Sequence, residues 1–129
     1  MTVRDIYSSA LGLIGENAES ERDSDYSERS TYIVAIFCDK IANIDRDYRE
    51  SHGLDKQQSF NEDRLELDSE FPLCPRFSDS AIHYLAAMLV LYEDEALHDR
   101  LFSIHCDLLA GAISEIPCYK EKIKNVYRW

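Results

Sequence analysis

A chain of 129 residues is one domain, and 45% hydrophobic content is enough to build a core without disulfide or metal staples. Its formal net charge of −11 argues against a protein that works by neutralising nucleic-acid phosphates, which needs clustered Lys and Arg. The best apolar run, Ala81 to Tyr92, is shorter than the ~20 residues a bilayer span requires. Met1-Thr2-Val3-Arg4-Asp5 lacks the charged-then-apolar layout of a signal peptide, so the expectation is a protein made and kept in a cytosol.

In chain order, Thr2 is a good helix N-cap, and Asp5 three residues on resembles a capping box. Val3, Ile6, Tyr7, Ala10, Leu13 and Ile14 recur at helical spacing, which predicts a short first helix over Val3 to Ile14 with Gly15 as its stop. Asn17 to Ser24 reads as a polar, acidic turn. Ser24 or Ser27 can cap a second helix of about 25 residues that ends at Gly53. Val34, Phe37, Ile41, Ile44 and Tyr48 form its a/d stripe, and Ile33 and Ile36 widen that stripe beyond a coiled-coil seam, as a bundle core requires.

Residues 54 to 77 have no helical period. Asp55, Glu62, Asp63, Glu66, Asp68 and Glu70 are interspersed there with Leu65, Leu67 and Phe71, and Leu65 to Leu67 can form one short strand. A connection this long usually binds something or is disordered, and its apolar residues argue against plain disorder. The expectation is an arm that packs outside its own bundle, with Leu65, Leu67 and Phe71 as anchors on another subunit or protein. Pro72 and Pro75 close the arm. Ser78 or Ser80 then caps a third helix, almost wholly apolar from Ala81 to Tyr92 and so expected to be buried all round. Glu93-Asp94-Glu95 breaks the pattern and opens a fourth helix with the stripe Leu97, Leu101, Ile104, Leu108 and Ala112, flanked by Phe102, Leu109 and Ile113 and closed by Pro117.

The expected fold class is therefore all-α: a four-helix, bundle-like single domain over residues 1–129, with a long acidic loop between the second and third helices. Its core should contain Val34, Phe37, Ile41, Leu85, Leu89, Leu101, Ile104 and Leu108. Tyr7, Tyr32, Tyr48, Tyr84 and Tyr92 are expected on or beside core faces, and such amphipathic aromatics also favour interfaces.

Cys38, Cys74, Cys106 and Cys118 show no C-x-x-C pair and no zinc spacing, so buried reduced thiols are expected, with Cys38 and Cys106 in apolar helical stretches. Glu16 to Glu28 is acidic, whereas Tyr119 to Trp129 reverses sign with Lys120, Lys122, Lys124 and Arg128 against Glu121. That basic, aromatic tail, with Tyr127 and Trp129, reads as a second docking element.

No catalytic constellation is visible. The four glycines form no phosphate-cradling motif, and no G-x-S-x-G elbow is present. Asp94 and His98 have the i,i+4 spacing of a metal half-site, with Glu95 nearby and His105 two turns on, but such a pair is more often a surface hydrogen bond. Neither a metal nor a cofactor is expected, and neither is an enzyme.

The order of elements carries a resemblance. Thr2-Val3-Arg4-Asp5-Ile6-Tyr7-Ser8-Ser9-Ala10-Leu11 opens the chain, and a long helix ends near Arg49-Glu50-Ser51-His52-Gly53-Leu54. An acidic Leu-rich loop follows, then Ala81-Ile82-His83-Tyr84-Leu85-Ala86-Ala87-Met88-Leu89 and an acidic break. Over nearly its whole length this resembles the small head–tail connector (head-completion, or adaptor) proteins of tailed bacteriophages and prophages. The resemblance implies an all-α subunit that forms a ring beneath the portal, with portal and tail proteins as partners and DNA passing through the channel without specific binding. It implies the virion as location, and the host bacterial cytoplasm during assembly. The basic ending from Lys122 to Trp129 departs from that pattern. Physical reasoning supports the same role: acidic subunits around a channel repel duplex DNA and let it slide. The alternative is an acidic helical interaction protein, or a DNA mimic that inhibits a nucleic-acid enzyme. A mimic wants its acids in a regular row on a rigid surface, and many here lie in the loop.

Overall fold

The structure, a computed structural model, describes residues 1–16, 23–57 and 63–117. These form α1 (Val3–Leu13), α2 (Asp23–Ser51), a 3₁₀ turn (Pro75–Phe77), α3 (Ser78–Leu89) and α4 (Glu95–Ile113). The all-α class predicted by the periodicities is present. Among the described residues the only extended pairing is an isolated antiparallel bridge between Thr2 and Glu70, so Leu65 to Leu67 forms no strand.

Local chemistry sets the helix ends. Asp5 N–H donates to the Thr2 hydroxyl at 3.3 Å and Thr2 N–H donates to the Asp5 carboxylate at 2.8 Å, completing the capping box. That contact holds the Asp5 carboxyl below its ordinary pKa, chiefly through the backbone N–H of Thr2. After α1 and α2 the chain turns through Gly15 (φ 77°) and Gly53 (φ 66°), a left-handed conformation that other residues adopt at a cost. Asp94 caps α4 by accepting from Leu97 N–H at 3.0 Å.

α3 is the hub and packs against α1, α2 and α4. Leu85, Ala86 and Ala87 are fully buried, and Phe37, Phe77, Leu11 and Ile6 belong to the same buried cluster. The predicted core residues Val34, Phe37, Ile41, Leu85, Leu89 and Leu101 are buried. Three expectations change. Ile104 is 38% exposed and Leu108 is only half-buried, because the buried line of α4 runs through Leu101, His105 and Ala112. Cys106 is exposed, on the solvent side of α4, whereas Cys38 and Cys74 are buried. Burial pushes the Cys38 thiol up to about 12. Finally, α3 stops at Leu89, one turn before the apolar run ends: Glu93 and Asp94 N–H groups fold back onto the Val90 carbonyl, and this turn throws Tyr92 out to 91% exposure.

Candidate interaction surface

The described part of the connection between α2 and α3 lies against its own chain. Leu65 (5% exposed) and Phe71 (8%) belong to the core, and Leu67 packs against it partly buried. The expectation that these three reach outside the bundle is thereby corrected. Backbone chemistry explains the placement. The first turn of α1 has N–H groups with no partner inside the helix. Val3 N–H finds the Ser69 carbonyl at 3.0 Å and Arg4 N–H the Leu67 carbonyl at 2.8 Å. Phe71 N–H donates back to the Met1 carbonyl at 2.9 Å, and Leu65 N–H to Thr31 on α2 at 3.0 Å. Tyr127 and Trp129 of the predicted basic tail, 119–129, lie outside the described residues.

A buried carboxylate fastens the two ends of this connection to α2. Asp45, fully buried, accepts from Arg49 Nε at 3.0 Å, Gln57 Nε2 at 2.6 Å and the backbone N–H of Cys74 at 2.7 Å. Arg49 also donates to the carbonyls of Asp55 and Pro72. One i,i+4 pair on α2 therefore grips the chain as it leaves the helix and again just before α3. At the far end of α4, Arg76 forks onto the Glu115 carboxylate at 2.9–3.1 Å, which lowers the pKa of Glu115.

The apolar surface left for a partner lies on the helices. At ~100° per residue the apolar residues of α4 span about half its circumference. Only the middle of that span is buried. Leu97, Ile104 and Leu108 form one shoulder, Phe102, Leu109 and Ile113 the other, all at least partly exposed. On α2, Tyr32 (45% exposed) and Ile36 (48%) face directly away from the core, with the Arg64 guanidinium 5.9 Å from the Tyr32 ring. Ile36 thus does not widen the core stripe as expected. Tyr92, Leu54 and Met1 are exposed outside the helices, and Leu13 at the end of α1. Tyr32 and Ile36 were detectable from the sequence, since both fall about 180° around the helix from the Val34–Ile41 line.

The histidines are satisfied internally. His98 Nδ1 donates to the Ala87 carbonyl at 2.8 Å while Asp94 is occupied as a cap. Among the described residues no group of three or more His, Cys, Asp or Glu side chains could hold a metal ion. Ser80 Oγ and His105 Nδ1 are hydrogen-bonded at 2.7 Å, a buried pairing that superficially suits nucleophilic chemistry. Ser80 is 2% exposed, however, and the Phe37, Tyr84 and Phe102 rings pack around His105. Burial lowers the His105 pKa and favours the neutral ring. This arrangement can satisfy two buried polar groups, and it offers a substrate no route to the hydroxyl. Among the described residues no helix is long and apolar enough to cross a membrane. Comparison with known protein families, with curated proteins and with solved structures finds no match.

Proposed function

We propose that this chain is a structural assembly protein of a tailed bacteriophage or prophage: a ring-forming head–tail connector subunit between portal and tail. In this reading it is not an enzyme and uses no cofactor, and it acts in the virion after assembling in the host bacterial cytoplasm. Its domain is a four-helix, bundle-like unit with a long acidic loop between the second and third helices. The observation that supports it best is the surplus apolar surface of α4. Only three of its 19 residues are buried, while Leu97, Phe102, Ile104, Leu108, Leu109 and Ile113 keep contact with water. A helix that leaves both shoulders of its apolar face open is better suited to a subunit than to a finished monomer. The acidic balance keeps free subunits soluble and lets DNA slide past.

Because Leu65 and Phe71 are committed to their own core, the contacts of the assembly fall to the helical faces rather than to the loop. The test is sedimentation of the purified chain over a wide concentration range, alone and with the portal protein encoded in the same genome. Wild type should associate with itself or with portal particles. Ile104→Glu should weaken this, and Ser103→Glu, on the exposed back of α4, should not. A wild-type chain that stays monomeric throughout and ignores portal overturns the proposal.

A further inference from the structure

The two ends of α2 carry surfaces that fit one another. At its C-terminal end Arg46, Arg49, Glu50, Leu54, Lys56 and Gln57 line a cleft of about 310 Å³. Its lining carries three cations against one carboxylate, with Asp45, Asp47 and Asp55 beside it, in a chain of net charge −11. Arg49 is neutralised by Asp45, and Arg46 forms a looser, largely exposed ion pair with Asp47 at 3.9 Å. Lys56 has no carboxylate partner among the described residues. Leu54, 47% exposed, gives the cleft an apolar side.

Near the N-terminal end of α2 sits the turn between α3 and α4. Tyr26 OH donates to Glu93 at 2.8 Å and Arg29 Nη2 to the Met88 carbonyl at 3.3 Å, so the turn is fastened to the first two turns of α2. From it projects Tyr92, the most exposed large hydrophobic side chain among the described residues, in the sequence Tyr92-Glu93-Asp94-Glu95. An aromatic ring on a fixed turn with acids beside it has the shape and sign that the cleft lacks. The two cannot meet within one chain: Tyr26 and Arg49 are 23 residues apart on one helix, about 35 Å at ~1.5 Å per residue.

We infer that the cleft of Arg46, Leu54 and Lys56 is the socket for the Tyr92 turn of a second copy of this chain. The ring lies against Leu54 and the aliphatic stems of the two cations, and Glu95 faces Arg46 and Lys56. Tyrosine anchors of this kind concentrate binding energy, and the flanking charges set partner and register. The contact joins unlike surfaces at opposite ends of the subunit, so it repeats head to tail and closes into a ring or runs on as a filament. It rests on the assembly reading above and adds which surfaces meet.

The test uses the full chain and three variants folded to wild-type helicity by circular dichroism. In Arg46→Glu/Lys56→Glu the cleft is reversed; in Glu95→Lys the turn is. Sedimentation velocity should show each variant alone associating about tenfold more weakly than wild type, as should Tyr92→Ser. An equimolar mixture of the two charge variants should recover mixed assemblies, because the reversed cleft of one accepts the reversed turn of the other. Variants that associate as well as wild type, or a mixture that stays monomeric, overturn this contact while leaving the assembly reading standing. A wild type that never associates with itself overturns this contact, and one that also ignores portal overturns both.

Discussion

Replacing Asp45 tests whether the connection between α2 and α3 is held by a single buried carboxylate. In Asp45→Ala the fully buried side chain disappears together with three hydrogen bonds, to Arg49 Nε, Gln57 Nε2 and Cys74 N–H. Removing one member of a buried ion pair costs about 3–5 kcal/mol, because the other charge stays behind unpaired. The buried Cys74 N–H adds about 1–3 kcal/mol if it finds no new acceptor. Two features reduce the sum. Arg49 keeps the carbonyls of Asp55 and Pro72 and is 17% exposed, so water can reach it. Gln57 keeps the Ala42 carbonyl at 3.2 Å. The expected loss is therefore about 3–4 kcal/mol, a large share of the ~5–15 kcal/mol that holds a domain together. Asp45→Asn, which retains an acceptor for Cys74 but not the charge, should lose roughly half as much. Urea unfolding followed by far-ultraviolet circular dichroism gives both values. Amide exchange should show faster opening at Cys74 and Phe71 than at Leu85. A loss below about 1 kcal/mol for the alanine variant, with Cys74 exchange unchanged, would refute the argument that this carboxylate is the latch.

The core assignment predicts a contrast between two apolar truncations. Leu85→Ala at the fully buried centre of α3 should cost about 3–5 kcal/mol, and Ile104→Ala, 38% exposed, under about 1 kcal/mol, both measured by denaturant titration. A third prediction concerns pH. Burial, with smaller contributions from Lys40 and His83, places the folded pKa of His105 below its ordinary 6.5, so the unfolded chain binds the proton first. Its contribution to stability is complete above about pH 6.5 and is lost as pH falls toward the folded value. Melting temperature should therefore drop between about pH 7.5 and 5.5, with a shallower drop in His105→Gln. Equal slopes for the two proteins would remove His105 as the cause.

Much of the architecture was legible in the residues. The capping box at Thr2 and Asp5, the glycine stops, the a/d stripe of α2 and the all-apolar run of α3 are local signals, and periodicity converts directly into which face is buried. What periodicity cannot supply is how much of an apolar face a neighbour covers. The stripe through Leu97, Ile104 and Leu108 was sound as helix, yet α4 rotates so that Leu101, His105 and Ala112 meet α3, and Ile104 is left in water. The same limit applies to Leu65, Leu67 and Phe71: alternation shows that they want burial, and the unpaired N–H groups of α1, far away in sequence, decided where.

The sequence by itself determined the helices and their order, because each depends on contacts three or four residues apart. Only the tertiary structure decided the Asp45 latch, the burial of Leu65 and Phe71, the outward Tyr92 and the cleft at the end of α2. Each of these brings together groups widely separated along the chain, and such pairings are set by how rigid elements pack, which no local pattern records.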